Sequence, residues 1–235
     1  MIVLDVETTG THFYENSIVS IGALDLDRIQ DKTKSKDALF YGECTIWPGA
    51  KINLEALNRN GFTIGQATTL NSETHEELTK RFVSWLEESE NRTMCGENID
   101  FDIRFLRESL LKSGYDSKFA YEIVGIRGND IHTLSYQSHE KRGIPIPMKH
   151  KRSALSLDET LKYVGLPIES DPHNGLIGAI LEAETYWRLK HGTSLLSKIP
   201  LKEIIPPAFP KDRLKDILEF KNYPIPRYLL QNQQI

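Results

Sequence analysis

Two acidic residues near the start of the chain, Asp5 and Glu7, have the spacing of a paired carboxylate site. They follow the apolar run 1–4, which predicts a short buried strand, and side chains two residues apart on a strand point to the same face. Neighbouring carboxylates repel each other unless a cation or a shared proton offsets the repulsion. Mg²⁺ or Mn²⁺, which prefer oxygen ligands, would do so, and a solvated acidic turn is the equally simple alternative.

A second acidic segment surrounds Asp102, which is predicted to lie in the first turn of a helix that begins near Phe101. From that turn its carboxylate could reach the end of the first strand. Asn98 precedes the helix, and we expect its side-chain amide to tie the turn. Taken alone, acidic residues here are also typical of an ordinary helix start, where the helix dipole favours them.

A third segment contains His173, just before the last long predicted helix. An imidazole titrates near neutral pH, so in this position it could take a proton from a water molecule as a general base. Without the other two segments, a single histidine would more simply be explained as structural or solvated.

The composition is that of a globular protein with one large domain or a domain with an appendage, since the chain has 235 residues, 39% of them apolar and 26% charged. The net charge of −4 gives no overall nucleic-acid signature, so such binding would need a local basic patch. Two cysteines without metal-ligand spacing fit a reducing compartment. Because we find no signal-peptide pattern and no apolar run of about 18 residues, we expect a cytoplasmic protein without a membrane partner.

Hydrophobic patterning predicts the elements that would position these residues. Strands first and then helices with one interleaved strand favour an α/β fold with a mixed sheet. Two capping boxes, Thr74 to Glu77 and Ser156 to Glu159, mark helix starts. Besides the first strand, the predicted strands are 18–26, 40–46 and 93–95. The predicted helices are 53–60, 74–90, 101–112, 156–165 and 173–190. Residues 27–38 are predicted to form a loop.

Two further segments stand apart in composition. Residues 137–153 form a predicted basic loop that is either simply solvated or binds phosphates through Lys149, Lys151 and Arg152. Residues 191–235 hold six of the eleven prolines and predict an arm with a short helix at 211–220. This arm would wrap either its own domain, residues 1–190, or a partner subunit.

In their order and spacing, the two acidic segments and the histidine segment resemble the motifs of the DnaQ-like 3′–5′ exonucleases of the DEDDh type. That group includes proofreading subunits and ribonuclease T. The resemblance extends over about residues 1–190, and it implies a ribonuclease H-like three-layer fold with a central mixed β-sheet flanked by helices. The residues that carry it are Asp5, Glu7 and Thr8-Thr9-Gly10 for the first motif, Asn98, Phe101 and Asp102 for the second, and His173, Leu176 and Ala179 for the third.

The resemblance implies hydrolysis of phosphodiester bonds from the 3′ end of single-stranded DNA or RNA with two Mg²⁺ or Mn²⁺ ions. Asp5 would bridge both ions, Glu7 would hold the ion on the nucleophile side, and Asp102 would hold the other. His173 would be the general base. The implied substrate contacts are Thr8, Thr9, Gly10, Asn60 and Asn98, together with Lys149, Lys151 and Arg152 of the basic loop.

One position departs from the family pattern. The third motif normally has an aspartate five residues after the histidine, and this chain has Gly178 there. Glu182, one helical turn further on nearly the same face, is the candidate substitute ligand. The expectation is therefore an exonuclease with impaired activity. The alternative is a catalytically inactive module that keeps the fold to bind nucleic-acid ends or a partner protein. The arm is also expected to support a homodimer or contact with a protein partner.

Overall fold

The computed structural model describes residues 1–31, 33–69 and 73–230, and a mixed sheet lies at its centre. The five strands are β1 (Ile2–Thr8), β2 (Ile18–Asp25), β3 (Leu39–Glu43), β4 (Met94–Gly96) and β5 (Gly128–Asp130). They lie in the order β3–β2–β1–β4–β5. Since β1 is antiparallel to β2 but parallel to β4, and β4 is parallel to β5, the carboxyl ends of β1, β4 and β5 meet at one edge.

The rest of the described structure consists of helices, one small hairpin and the segments that connect them. The longer helices are α4 (His75–Glu87), α5 (Asp100–Lys112), α6 (Ser117–Val124), α7 (Ile131–Arg142), α8 (Leu157–Val164) and α9 (Gly175–His191). The shorter ones are α1 (Leu26–Gln30), α2 (Leu54–Arg59), α3 (Ile64–Thr68), α10 (Leu201–Ile204), α11 (Leu214–Glu219) and α12 (Arg227–Leu230). The hairpin pairs β6 (Met148–Lys149) with β7 (Arg152–Ser153). None of the helices in the described ranges has the length and apolar character that crossing a membrane would need.

The side chains of β1 alternate between two cores. Leu4 and Val6 belong to an apolar cluster that also contains residues of α4, α5 and α6. Val3 belongs to a second cluster with residues of α7, α8 and α9. Because successive side chains on a strand point to opposite faces, Asp5 and Glu7 share the face on which α9 packs.

The start of α9 lies directly on the sheet because two glycines remove the side chains between them. A β-carbon on Gly22 of β2 would lie 2.0 Å from the carbonyl carbon of Gly175. A β-carbon on Gly175 would lie 2.8 Å from the backbone oxygen of Asp5. Backbone-to-backbone contact therefore brings the first turn of α9 next to the carboxylates of β1.

A buried ion pair ties the chain beyond α9 back to that helix. Arg188 and Glu184 are fully buried, and Nε of Arg188 lies 2.6 Å from Oε1 of Glu184. Arg188 also donates to the backbone oxygen of Tyr223, at 2.9 Å. The other oxygen of Glu184 accepts from the backbone N–H groups of Leu195 and Leu196. The described part of 191–235 thus contacts its own chain.

The prediction of a loop at 27–38 is wrong, because part of it is helical. α1 extends from Leu26 to Gln30, and the side chain of Asp25 caps it by accepting from the N–H groups of Asp27 and Arg28. Arg28 and Ile29 are buried, and Ser35–Asp37 forms a turn of 3₁₀ helix. Because this segment is rich in charged residues, its sequence pattern did not predict the short helix, whose buried residues include Leu26 and Ile29.

The predicted basic loop at 137–153 is also shorter than expected. Residues 137–142 belong to α7, which ends where Gly143 takes a left-handed conformation. The remaining turn lies at the tip of the β6–β7 hairpin, where His150 and Lys151 have positive φ angles. The start of α9 likewise differs: Asn174 caps it, so His173 precedes the helix by two residues.

Other boundaries are close to the prediction. The capping box at Thr74 is confirmed in both directions, whereas at Ser156 only the bond from the Glu159 N–H to the serine oxygen is present. The third strand stops at Glu43 rather than Ile46. The predicted helix at 211–220 is divided between α11 and 3₁₀ turns at its two ends.

Candidate active site

Helix α5 brings Asp102 to the end of β1. The residue lies in the first turn of α5 and is only 5% exposed. Its Oδ1 accepts a hydrogen bond of 3.0 Å from the backbone N–H of Val6. Val6 directly follows Asp5, so backbone dimensions limit the separation of the two carboxyl groups to less than about 10 Å.

Asp5 lies against the backbone of α9. A β-carbon on Gly178 would be 1.9 Å from Oδ2 of Asp5. The carboxylate therefore occupies the space that any side chain at position 178 would need.

Burial and mutual repulsion make this group of carboxylates difficult to ionise. Burial raises the pKa of Asp5 well above its usual value, and repulsion from Glu7, Glu182, Asp102 and Glu169 raises it further. Burial, with repulsion from Glu169 and Asp102, raises the pKa of Glu7 to about 8. Burial raises that of Asp102 to about 8. A divalent cation would offset both effects.

The loop before α9 holds His173 beside this group. Its backbone N–H donates to the backbone oxygen of Arg59 at 2.9 Å, which ties the loop to the end of α2. Its Nδ1 lies 3.5 Å from Oε2 of Glu169, and its Nε2 lies 3.6 Å from Oδ1 of Asp171. Burial and the charge of Arg59 lower the pKa of His173, so the imidazole is neutral and able to accept a proton at neutral pH.

Glu169 is a site residue that sequence reasoning missed. One ligand atom from each of Glu7, Glu169 and His173 lies within 4.8 Å of the others, close enough for the group to hold a metal ion. The signal in the sequence is slight: an acidic residue four positions before the histidine, in a segment with prolines at 167 and 172. Periodicity says nothing about where such a loop folds.

Glu182, the predicted substitute ligand, faces the end of β4. Its Oε1 accepts from the backbone N–H of Glu97 at 3.2 Å. Its Oε2 lies 3.1 Å from where a β-carbon on Gly96 would be, and this buried oxygen has no hydrogen-bond partner among the described residues. Repulsion from Asp102 adds to burial in raising its pKa well above the usual value. Glu182 therefore lies on the Asp102 side of the group.

The turn after β1 is held by its own hydrogen bonds. Thr9 is fully buried, its N–H donates to the backbone oxygen of Ser17, and its hydroxyl donates to that of Lys51. Both donors of Thr9 therefore already have partners within the chain, and the expectation that Thr9 contacts substrate stays a prediction. Thr8 donates its hydroxyl to the backbone oxygen of Gly10, and the Asn60 side-chain amide donates to the backbone oxygen of Thr8.

The remaining predicted contacts are exposed side chains. Asn98 is exposed, and its backbone oxygen, not its amide, ties the turn by accepting from the N–H of Phe101. Its φ of 52° is one that asparagine tolerates well. The three basic residues Lys149, Lys151 and Arg152 are exposed on the β6–β7 hairpin. A bond of 3.1 Å between Ser153 and His132 holds the hairpin to the start of α7, which directly follows β5.

Comparisons with solved structures give the fold its class. The chain is similar to E. coli Exonuclease I in complex with a dT13 oligonucleotide, with a TM-score of 0.60, 16% identity, and coverage of 80% of this chain and 40% of that one. It is similar to the same enzyme with a dA16 oligonucleotide (TM-score 0.58, 16% identity, 86% and 41% covered). It is also similar to the zinc-bound E. coli Exonuclease I complex with single-stranded DNA, with a TM-score of 0.58 and 17% identity. That match covers 81% of this chain and 41% of the other. No protein-family model and no curated protein matches the chain.

The chain thus has an α/β, ribonuclease H-like fold with a central mixed sheet flanked by helices, as the sequence predicted. It spans about two fifths of the length of the Exonuclease I chains that it matches. At these identities the likeness establishes the architecture. The chemistry depends on the side chains of this chain.

Proposed function

We propose that this protein is a metal-dependent 3′–5′ exonuclease that acts on single-stranded DNA. The observation that carries the proposal is the convergence of Asp5, Glu7 and Asp102 at one edge of the sheet, with the neutral imidazole of His173 beside them. The choice of single-stranded DNA follows the oligonucleotides held by the structurally similar Exonuclease I.

The donor set fits divalent cations. Three buried carboxylates with raised pKa values lie together, and oxygen ligands are those that Mg²⁺ and Mn²⁺ prefer. Asp5 and Glu7 would hold the ion on the nucleophile side, and Asp5 and Asp102 would hold the other. When bound, the two ions would supply activation of the attacking water and stabilisation of the leaving 3′ oxygen.

The protein side chains have separate tasks. His173 takes a proton from the attacking water, because its lowered pKa leaves it unprotonated at neutral pH. The bonds of Asn60 to Thr8, and of Thr8 to Gly10, shape the turn that would face the terminal nucleotide. Lys149, Lys151 and Arg152 would attract the phosphates of the strand as it enters.

The test is degradation of a 5′-labelled single strand with Mg²⁺ or Mn²⁺. We expect the parent protein to give products that shorten stepwise from the 3′ end, and Asp5→Asn and His173→Ala to give none. An oligonucleotide with a blocked 3′ end serves as the substrate control. Shortening that persists in Asp5→Asn would identify a contaminating nuclease and contradict the proposal.

A second candidate function is a catalytically inactive module that binds DNA ends. Gly178 favours it, since this position lacks the carboxylate that the exonuclease motif has. A parent protein that shifts the mobility of the oligonucleotide but leaves its length unchanged with both metals would support this function and exclude the first.

A further inference from the structure

We infer that Glu169 is a metal ligand that takes the place of the carboxylate missing at Gly178. The inference rests on the proposed function for its biological meaning, but the binding site itself is argued from this chain alone. Ligand atoms of Glu7, Glu169 and His173 lie within 4.8 Å of one another. In this group Glu7 and Glu169 would hold the ion, and His173 keeps its proposed role as the base.

The carboxylate of Glu169 is buried and oriented. Its side chain is 5% exposed, although the loop around it is largely at the surface. One oxygen accepts a hydrogen bond of 3.0 Å from the backbone N–H of Asn174, the residue that caps α9. This bond leaves Oε2 on the side of His173. The start of α9 thus fixes the carboxylate with one oxygen free for a cation.

Glu7 provides the second observation. It is 6% exposed, and within the described residues its carboxylate has no hydrogen bond and no ion pair. A buried carboxylate without a partner is costly, and this one points to Glu169 and His173. The positive charges of Arg59 and Arg213 act on the group without direct contact, since among the described residues neither forms an ion pair with Glu7 or Glu169.

Glu169 suits this role better than Glu182. Glu182 lies beside β4 and Glu97, whereas Glu169 lies on the Glu7 side, where the resemblance places the ion that lacks a ligand. A side chain at position 178 of α9 would have to displace Asp5, whereas Glu169 reaches Glu7 from a loop without doing so.

The competing role for Glu169 is to orient the imidazole of His173 without binding metal. The two roles predict different results for Glu169→Gln, which keeps the shape and can still accept from the Asn174 N–H. Loss of a ligand weakens Mn²⁺ binding, whereas loss of an orienting group changes the pH profile of activity and leaves Mn²⁺ affinity unchanged.

The experiment is a titration of the full chain with Mn²⁺. Binding is measured by calorimetry and by the electron paramagnetic resonance signal of free Mn²⁺. We expect Glu169→Gln to bind Mn²⁺ at least about tenfold more weakly than the parent. Asp171→Asn is the matched control, since it removes a carboxylate from the same loop and beside the same imidazole, but one that is 84% exposed. It should bind like the parent.

Thermal melting with and without Mn²⁺ provides a second measurement, and the metal should stabilise the parent and Asp171→Asn more than Glu169→Gln. Equal Mn²⁺ affinity in the parent and Glu169→Gln would overturn the inference, even if the parent degrades DNA. Weaker Mn²⁺ binding by Glu169→Gln in a protein that degrades no DNA would support the inference while contradicting the proposed nuclease.

Discussion

Gly178 and Asp5 are in such close contact that a β-carbon on the glycine would lie 1.9 Å from Oδ2 of the aspartate. The glycine is therefore more than an absent ligand. It gives the carboxylate of Asp5 a place against α9, between the strand and the helix backbone. Any side chain at position 178 must move Asp5 away from that place.

The first prediction concerns this contact. Gly178→Ala should reduce Mn²⁺ affinity and nuclease activity by about tenfold or more, because small displacements of a catalytic group can cost as much as 10²-fold. Gly178→Asp causes the same displacement but adds a carboxylate, so it should bind Mn²⁺ more tightly than Gly178→Ala. Calorimetric titration of the parent, Gly178→Ala and Gly178→Asp measures Mn²⁺ affinity, and initial rates of DNA degradation measure activity. An alanine variant that equals the parent would show that Asp5 can move freely.

The second prediction concerns Asp102. In Asp102→Asn the amide oxygen can still accept from the Val6 N–H, so the fold should be retained while the charge is lost. We expect activity with Mg²⁺ to fall by about 10²-fold. The melting temperature of the metal-free protein at about pH 7 should rise, because the variant lacks a buried carboxyl whose pKa folding raises. Initial rates and thermal melting check the two parts. Full activity in this variant would show that Asp102 is not part of the active site.

The third prediction is a pH dependence of stability. The folded-state pKa values of Glu7 and Asp102 are about 8, well above those of the unfolded chain. Between about pH 4.5 and pH 8 the unfolded chain releases protons that the folded chain keeps, so the free energy of unfolding falls as pH rises. Each kcal/mol lost lowers the melting temperature by about 2–4 °C in a chain of this size.

Melting of the metal-free protein from pH 5 to pH 8 measures this decline. Mn²⁺ at pH 8 should reverse it, because the cation favours the ionised carboxylates. Glu7→Gln is the control and should show a shallower decline, since it removes one of the groups that titrate. A melting temperature that rises over this range would contradict the assigned direction.

The fourth prediction concerns Arg188. Arg188→Met leaves Glu184 as a buried charge without its partner and removes a donor from the backbone oxygen of Tyr223. The free energy of unfolding should decrease by about 3–5 kcal/mol. Urea unfolding measures the change. The double variant Glu184→Gln with Arg188→Met should recover part of the loss, and no recovery would mean that the backbone contacts dominate.

The fifth prediction tests the hairpin with a Lys149, Lys151 and Arg152 triple alanine variant. Affinity for a single-stranded oligonucleotide should fall, and the slope of log affinity against log salt should become shallower by about 2, because each phosphate contact on a single strand contributes about 0.7. Fluorescence anisotropy at several salt concentrations measures both. A triple alanine variant at the exposed Lys34, Lys80 and Lys118 has the same change in charge and should keep the parent slope.

The sequence by itself determined the central elements of this fold. The alternating direction of side chains on β1 places Asp5 and Glu7 on one face, and that alternation depends only on strand geometry. The capping residues Thr74 and Ser156 mark helix starts correctly because capping is a local interaction. The position of Asp102 in the first turn of α5 was predictable from the helix pattern of residues 101–112.

Only the tertiary structure decided which groups complete the site. Glu169 comes from a loop, and its place beside Glu7 follows from the cap on α9 and from the bond between His173 and Arg59. The contact between Gly178 and Asp5 follows from the close packing of α9 on β1 and β2. These relations join residues that are far apart along the chain, and packing between elements sets them, so local patterns in the sequence do not contain them.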